Sequence, residues 1–233
     1  MNTDESSITS LEDLSLKDLP PEKEWAQGLL LNDEWANYLT HGLAFLLSLV
    51  GLFLLLRIPL QNGDFWKFLI LGIYSTSSLF MYAASTIYHY LRNPILKKRF
   101  RTIDHCAIYL FIAGSYTPFT LLLMKDQGGL ALFGTIWGMT CIGIAFKIFF
   151  THRFQGLSLL FYLTMGWLVM AAADTLFSLL HMNGVYWLFA GGMCYTLGIV
   201  FYLLDKRRFF HAIWHLFTLA GSVCHYICVL VYL

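Results

Sequence analysis

The chain has 233 residues, 58% hydrophobic and 12% charged, where a soluble domain carries roughly 45–50% and about 25%. That composition excludes an ordinary water-soluble fold. Fourteen acids nearly balance fifteen bases, but nine of the acids lie in the first 34 residues, which divides the chain into an acidic arm, 1–32, and an apolar body with basic connections, 33–233.

The arm opens with acids and hydroxyls, without the basic and apolar regions of a cleavable signal, so insertion is expected to rely on the first apolar helix. Its composition predicts disorder through about residue 20, with Pro20 and Pro21 as a break. Seven stretches then reach the roughly 20 residues needed to cross hydrocarbon as a helix. They fall near 35–57, 67–90, 103–124, 129–150, 157–180, 184–204 and 211–233. Connections such as Gln61-Asn62-Gly63-Asp64, Asp126-Gln127-Gly128-Gly129 and Met182-Asn183-Gly184 suit tight turns between antiparallel neighbours. The fold class is all-α and integral to the membrane: a seven-transmembrane helix bundle in the cell membrane, the inner one if the cell is Gram-negative.

With the N-terminus in the cytoplasm, twelve of the fifteen Lys and Arg residues collect on that side, leaving Arg57, Lys67 and Lys125 outside. The bias predicts a cytoplasmic N-terminus and an external C-terminus. Clusters such as Lys97-Lys98-Arg99 are explained by this topology and by anionic headgroups, so no nucleic-acid partner is expected. Gly134 and Gly138 on the fourth span, and Gly191, Gly192 and Gly198 on the sixth, are candidate helix contacts. Pro118 should kink the third span, with neighbouring helices or hydroxyls satisfying the freed carbonyl. The five cysteines form no CxxC pair; Cys224 and Cys228 are one helical turn apart but lack a second pair to complete a metal site.

Polar residues in the spans are costly and mark a site or a pair. On the second span Ser75, Ser78, Tyr82, Ser85 and His89 recur at steps of three and four, drawing one stripe down one face. The seventh repeats this with His211, His215, Thr218, Ser222 and His225, and the first with Glu34, Asn37, His41 and Ser48. The topology brings Ser85, His89, Asp104, His211, His215 and His41 to one depth although they are up to more than 120 positions apart.

These identities suit zinc. His211 and His215, four apart on a helix, present both imidazoles to one ion, and His89 supplies a third nitrogen. Three histidines and an open position is the arrangement of catalytic zinc, which brings the pKa of a bound water to roughly 7. Asp104 would then take a proton from that water or orient it, and Ser85 could donate to a developing oxyanion. His41 is placed behind the ligands, with Asn37 and Glu34 fixing its ring. His105 points about 100° away from Asp104, toward lipid headgroups. His152 falls in a connection and His181 near the outer boundary; Asp174 could pair with His225 or line an outer cavity.

The pattern Ser85-x3-His89, Asp104 fifteen residues later, and His211-x3-His215 opening a seventh helix resembles the progestin and adipoQ receptor family. Glu34-x2-Asn37-x3-His41 and the stretch from Ala113 to Phe119 resemble its bacterial branch, the hemolysin III-like proteins. The likeness covers roughly 33–233. It implies a seven-helix bundle with a cytoplasmic N-terminus, opposite in sense to G-protein-coupled receptors. It also implies zinc held by His89, His211 and His215, with Asp104 on the zinc water. Adiponectin receptors in this family are associated with ceramide hydrolysis, and the wider superfamily includes alkaline ceramidases. The bacterial relatives are named for haemolysis and linked to membrane homeostasis.

Three functions are therefore carried forward. The leading one is a zinc-dependent hydrolase of lipid amides, with membrane lipids, ceramide-like ones among them, as partners. The second is a noncatalytic lipid sensor or membrane-homeostasis regulator in which zinc clips helices together. A hemolysin-like cytolytic protein ranks last, because the spans are too apolar to line a wide channel.

Overall fold

The computed structural model describes residues 21–150 and 153–233, with side chains from residue 33. Every regular element among them is helical. Helix α1 spans Pro21–Asn62, α2 Phe65–Tyr90, and α3 Pro94–Pro118 with a π-helical extension Phe119–Leu123. Helix α4 covers Gly129–Phe150. The next span is built from α5 (Gln155–Trp167), a 3-10 stretch Leu168–Ala172 and α6 (Ala173–Leu179). Helices α7 (Met182–Leu203) and α8 (Phe210–Tyr232) complete seven spans long and apolar enough to cross a membrane. The acidic arm through residue 20, and His152, lie outside the described residues.

Local chemistry sets the helix ends. Asp64 accepts from the Lys67 amide at 2.9 Å to start α2, and Asn93 accepts from the Ile95 and Leu96 amides ahead of Pro94 to start α3. His181 Nδ1 accepts from the Asn183 amide at 3.2 Å, which makes this histidine the cap of α7. Gly63 at φ 69° permits the turn between α1 and α2. Phe154 and Phe209 adopt positive φ, 57° and 63°, where the chain turns into α5 and α8.

Neighbouring helices pack in the order α1–α2–α3–α4, with α8 against both α1 and α7 and with α5 touching α3, α4 and α7. The polar stripes face inward, and apolar residues on the same helices, among them Leu43, Phe53, Phe80 and Leu216, are exposed on the outer surface. Stripe residues meet across helices: Ser48 and Ser78 hydroxyls are 3.3 Å apart, and the Tyr82 hydroxyl lies 2.5 Å from Ser222 Oγ.

At Pro118 the third span widens into the π-helical stretch, the usual response where the backbone ladder loses a donor. Hydroxyls cluster there, but Thr117 donates to the Ala113 carbonyl at 2.9 Å and Thr120 to Tyr116 at 3.0 Å, rather than to the Gly114 carbonyl that Pro118 frees. The glycine expectation holds only in part. A Cβ on Gly191 would strike His225, and one on Gly198 would lie 2.8 Å from Phe217 Cβ. Gly134 and Gly138 have no side-chain or backbone neighbour from another helix within 4 Å of such a Cβ. The GxxxG motif of α4 therefore makes no helix contact, because that face of α4 points away from the bundle.

Candidate metal centre

Three helices meet at one end of the bundle, and each contributes polar groups for a local reason. Helix α2 ends its stripe with His89 in its last turn. Helix α8 begins at Phe210, so His211 and His215 occupy its first two turns on one face. Helix α1 passes between them with Glu34, Asn37, Thr40 and His41. The outcome is a compact group of imidazoles: ring centroids are 5.1 Å apart for His89–His211, 5.0 Å for His89–His215 and 4.7 Å for His211–His215. One ligand atom from each ring lies within 4.8 Å of the others, so this trio can hold a single metal ion.

Hydrogen bonds decide which nitrogens are free. His89 Nδ1 is 2.8 Å from Glu34 Oε2, a carboxylate that can only accept, so Nδ1 carries the hydrogen. His89 Nε2 is left as a lone pair, buried and without a hydrogen-bond partner. His215 Nδ1 lies 3.2 Å from the Asn37 carbonyl and 3.0 Å from Thr40 Oγ1. The Thr40 hydroxyl is itself engaged with the Ala36 carbonyl at 2.9 Å, so its oxygen accepts. His215 Nδ1 is likewise the donor, which leaves Nε2 bare. A histidine that gives its far N–H to a carboxylate or carbonyl is the arrangement that fixes a metal ligand's tautomer and ring plane. The orphaned Nε2 of His89 is what a metal would satisfy, so these residues fit a zinc-sized cation with nitrogen ligands.

The other oxygen of Glu34 is 3.0 Å from Lys97 Nζ, which ties the support of His89 to the start of α3. His41 stacks on His215 and has its ring edge-on to Tyr82. Asp104 is half-buried and lines the same cavity as the trio, with Ser85 close by. It is not among the grouped ligand atoms.

Several expectations change. Glu34 and Asn37 support His89 and His215, not His41, because α1 lies with those residues against α2 and α8 rather than along its own next turn. His105 is buried, and its carbonyl accepts from the Tyr162 hydroxyl at 2.9 Å; α5 covers the face assigned to headgroups. Asp174 is exposed, and His225 instead bonds the Leu188 carbonyl. Cys228 donates to the Gly184 carbonyl at 3.2 Å. Thr40 was not singled out by the sequence; its only signal was its position three residues after Asn37 on the same stripe.

From the trio a cavity of about 370 Å³ runs into the bundle. His89, Asp104, His211 and His215 line one end, and Phe111, Phe119, Met124, Leu132, Trp167 and Leu188 line much of the rest. An apolar cavity with a few convergent polar groups is the usual form of a small-molecule site.

Fold and site together define a multi-pass membrane protein with a trio of histidines, two buried and His211 half-buried, at one end of a seven-helix bundle. Comparison with known proteins places it further: residues 29–226 match the family described as Haemolysin-III related, and the chain belongs to that family. It is 40% identical over 211 residues to Hemolysin-3 of Bacillus cereus, covering 91% of this chain and 96% of that protein. It is 41% identical over 202 residues to a Hemolysin-3 homolog of Bacillus subtilis, covering 87% and 95%. The human monocyte to macrophage differentiation factor is 33% identical over 208 residues, covering 85% and 83%. No solved structure matches the chain.

Proposed function

We propose that the protein is a zinc-dependent hydrolase of lipid amides, with the histidine end of the bundle toward the cytoplasm. The observation that carries this reading is the trio of ligand atoms within 4.8 Å, opening on a largely apolar cavity. His89, His211 and His215 would hold the zinc. When bound, zinc supplies a Lewis acid for the scissile carbonyl and raises the acidity of water.

The remaining chemistry belongs to the chain. Hydrolysis adds water across the acyl C–N bond: Asp104 takes a proton from the attacking water and returns it to the leaving amine nitrogen, freeing a carboxylic acid and an amine. Ser85 lines the cavity beside Asp104, where its hydroxyl would orient that carboxylate. Glu34, Asn37 and Thr40 hold the two rings in place through their Nδ1 atoms. The cavity walls take up the acyl chain and exclude bulk water.

A purely structural zinc site normally has four protein ligands. With three in the group and Asp104 outside it, the arrangement favours an open position and hence catalysis. The test is elemental analysis of purified protein, followed by assay of ceramide and other lipid amides with and without chelator. Zinc near one per chain with chelator-sensitive turnover supports the reading. Metal-loaded protein that cleaves none of the panel rejects it.

A further inference from the structure

Most polar side chains along the cavity have partners. Ser222 Oγ receives Tyr82 and Tyr195, whose hydroxyls lie 2.5 and 3.1 Å away, and Thr218 bonds the Trp214 carbonyl at 3.1 Å. Among the described residues lining the cavity, the buried atoms without a hydrogen-bond partner on Asn37, His41 and His89 sit at the histidine end, as does Asp33 Oδ1, which pairs with Arg208 Nε at 3.7 Å; Tyr109 Oη also has none but lies off the cavity.

His225 is the exception in place and in chemistry. It lines the same cavity, ten residues beyond His215 on α8 and so about 15 Å farther along the helix axis. Its Nε2 is 3.2 Å from the Leu188 carbonyl, which can only accept, so Nε2 carries the hydrogen. In the neutral ring Nδ1 is then a lone-pair acceptor, and it is buried without a hydrogen-bond partner. The ring is held in this pose. Tyr195 packs edge-on with centroids 5.3 Å apart, and a Cβ at Gly191 would strike the imidazole, so α7 closes against it only because that residue is glycine. Leaving such an acceptor dry is costly, and since Nδ1 itself is closed to a molecule the size of water, a donor entering from the cavity that the ring lines reaches it as the ring or its neighbours give way.

We infer that the cavity takes a long acyl chain bearing a hydroxyl group about 15 Å from the histidine trio, and that His225 Nδ1 accepts the hydrogen of that hydroxyl. The lipid-hydrolase reading is what identifies the occupant as an acyl chain; the position and polarity of the second contact come from His225 itself. The ligand class is hydroxylated long-chain acyl lipids in preference to plain ones.

The probe is a series of free fatty acids, hydroxylated at successive chain positions, with the plain acid and the O-methyl ether of each hydroxylated one. Binding to the purified full-length protein in detergent is read by displacement of a fluorescent fatty acid. One position, or two adjacent ones, is expected to bind about five- to tenfold more tightly than the plain acid, the gain of one buried hydrogen bond. The ether keeps the oxygen but cannot donate, so it loses that gain. His225→Phe also loses it: in that variant the hydroxylated and plain acids are expected to bind alike, whatever its affinity for either. If that variant does not fold, the ether comparison in the wild-type protein still decides. Equal affinity at every position, or a gain that survives methylation or His225→Phe, overturns the inference. Lipid amides built on the same chains separate the two readings. A positional binding preference without turnover rejects the hydrolase and keeps His225's role, whereas turnover with no positional preference does the reverse.

Discussion

His41 lies flat against His215, with ring centroids 3.5 Å apart and planes within 15°. Both His41 nitrogens are buried without hydrogen-bond partners, so what the ring supplies is a face rather than a polar contact. The stack closes the side of His215 that Asn37 and Thr40 leave open. Truncation by His41→Ala should free that ring and weaken zinc binding about tenfold, the low end for loss of a group that orients a ligand. His41→Phe should restore the face and recover most of the affinity. Competition with a chromophoric chelator measures both.

Glu34 fixes the tautomer of His89 and is shared with Lys97. Glu34→Gln keeps an oxygen but removes the charge, and is expected to lower zinc affinity roughly ten- to a hundredfold. Lys97→Met should act in the same direction and more weakly, because the ion pair is partly solvent-exposed. Zinc retained after dialysis, compared across the two variants, checks the order; equal losses would contradict it.

Removing a ligand tests whether the metal serves chemistry or architecture. His211→Ala should bring zinc per chain close to zero while helical circular dichroism is unchanged, because the bundle's packing rests on apolar clusters that do not include the trio. Collapse of the fold in this variant would point instead to zinc as a clip.

Asp104→Asn keeps the shape and hydrogen-bonding size of the side chain but cannot take up a proton. Zinc content should match wild type, and turnover of a lipid amide should fall about a hundredfold to ten-thousandfold, the usual range for a lost general base. A variant that loses metal in parallel with activity would make Asp104 a ligand.

Glycines on α4 and α7 should respond in opposite ways. Gly198→Ala places a methyl against Phe217 and Trp214 and should cost roughly 1–3 kcal/mol as overpacking. Gly134→Ala and Gly138→Ala meet no other helix, so stability should hold or rise slightly through helix propensity. Thermal melts in one detergent compare all three.

The spans were legible because hydrocarbon imposes a length and a polarity that few other environments demand, and all seven stretches became helices. His89, His211 and His215 were legible for a related reason: imidazoles are too costly in lipid to sit there without a partner, and periodicity assigns each to a face. What supports them was harder to read. Glu34 and His41 share a stripe on α1, yet one reaches α2 and the other α8, a choice made by how three helices cross and not by spacing along one. His105 misled because an angle around α3 says nothing of which neighbour covers that angle; α5 does. The GxxxG of α4 failed likewise, since small residues permit a close approach without supplying the helix that approaches.

The trio joins His89 to two residues more than 120 positions later in the chain. During synthesis the earlier helices must therefore wait in the bilayer, with an unsatisfied imidazole at the end of α2, until α8 emerges and docks beside α1. Any cation the trio takes up would therefore be captured late in biogenesis, and a nascent chain halted before residue 211 would offer it His89 alone.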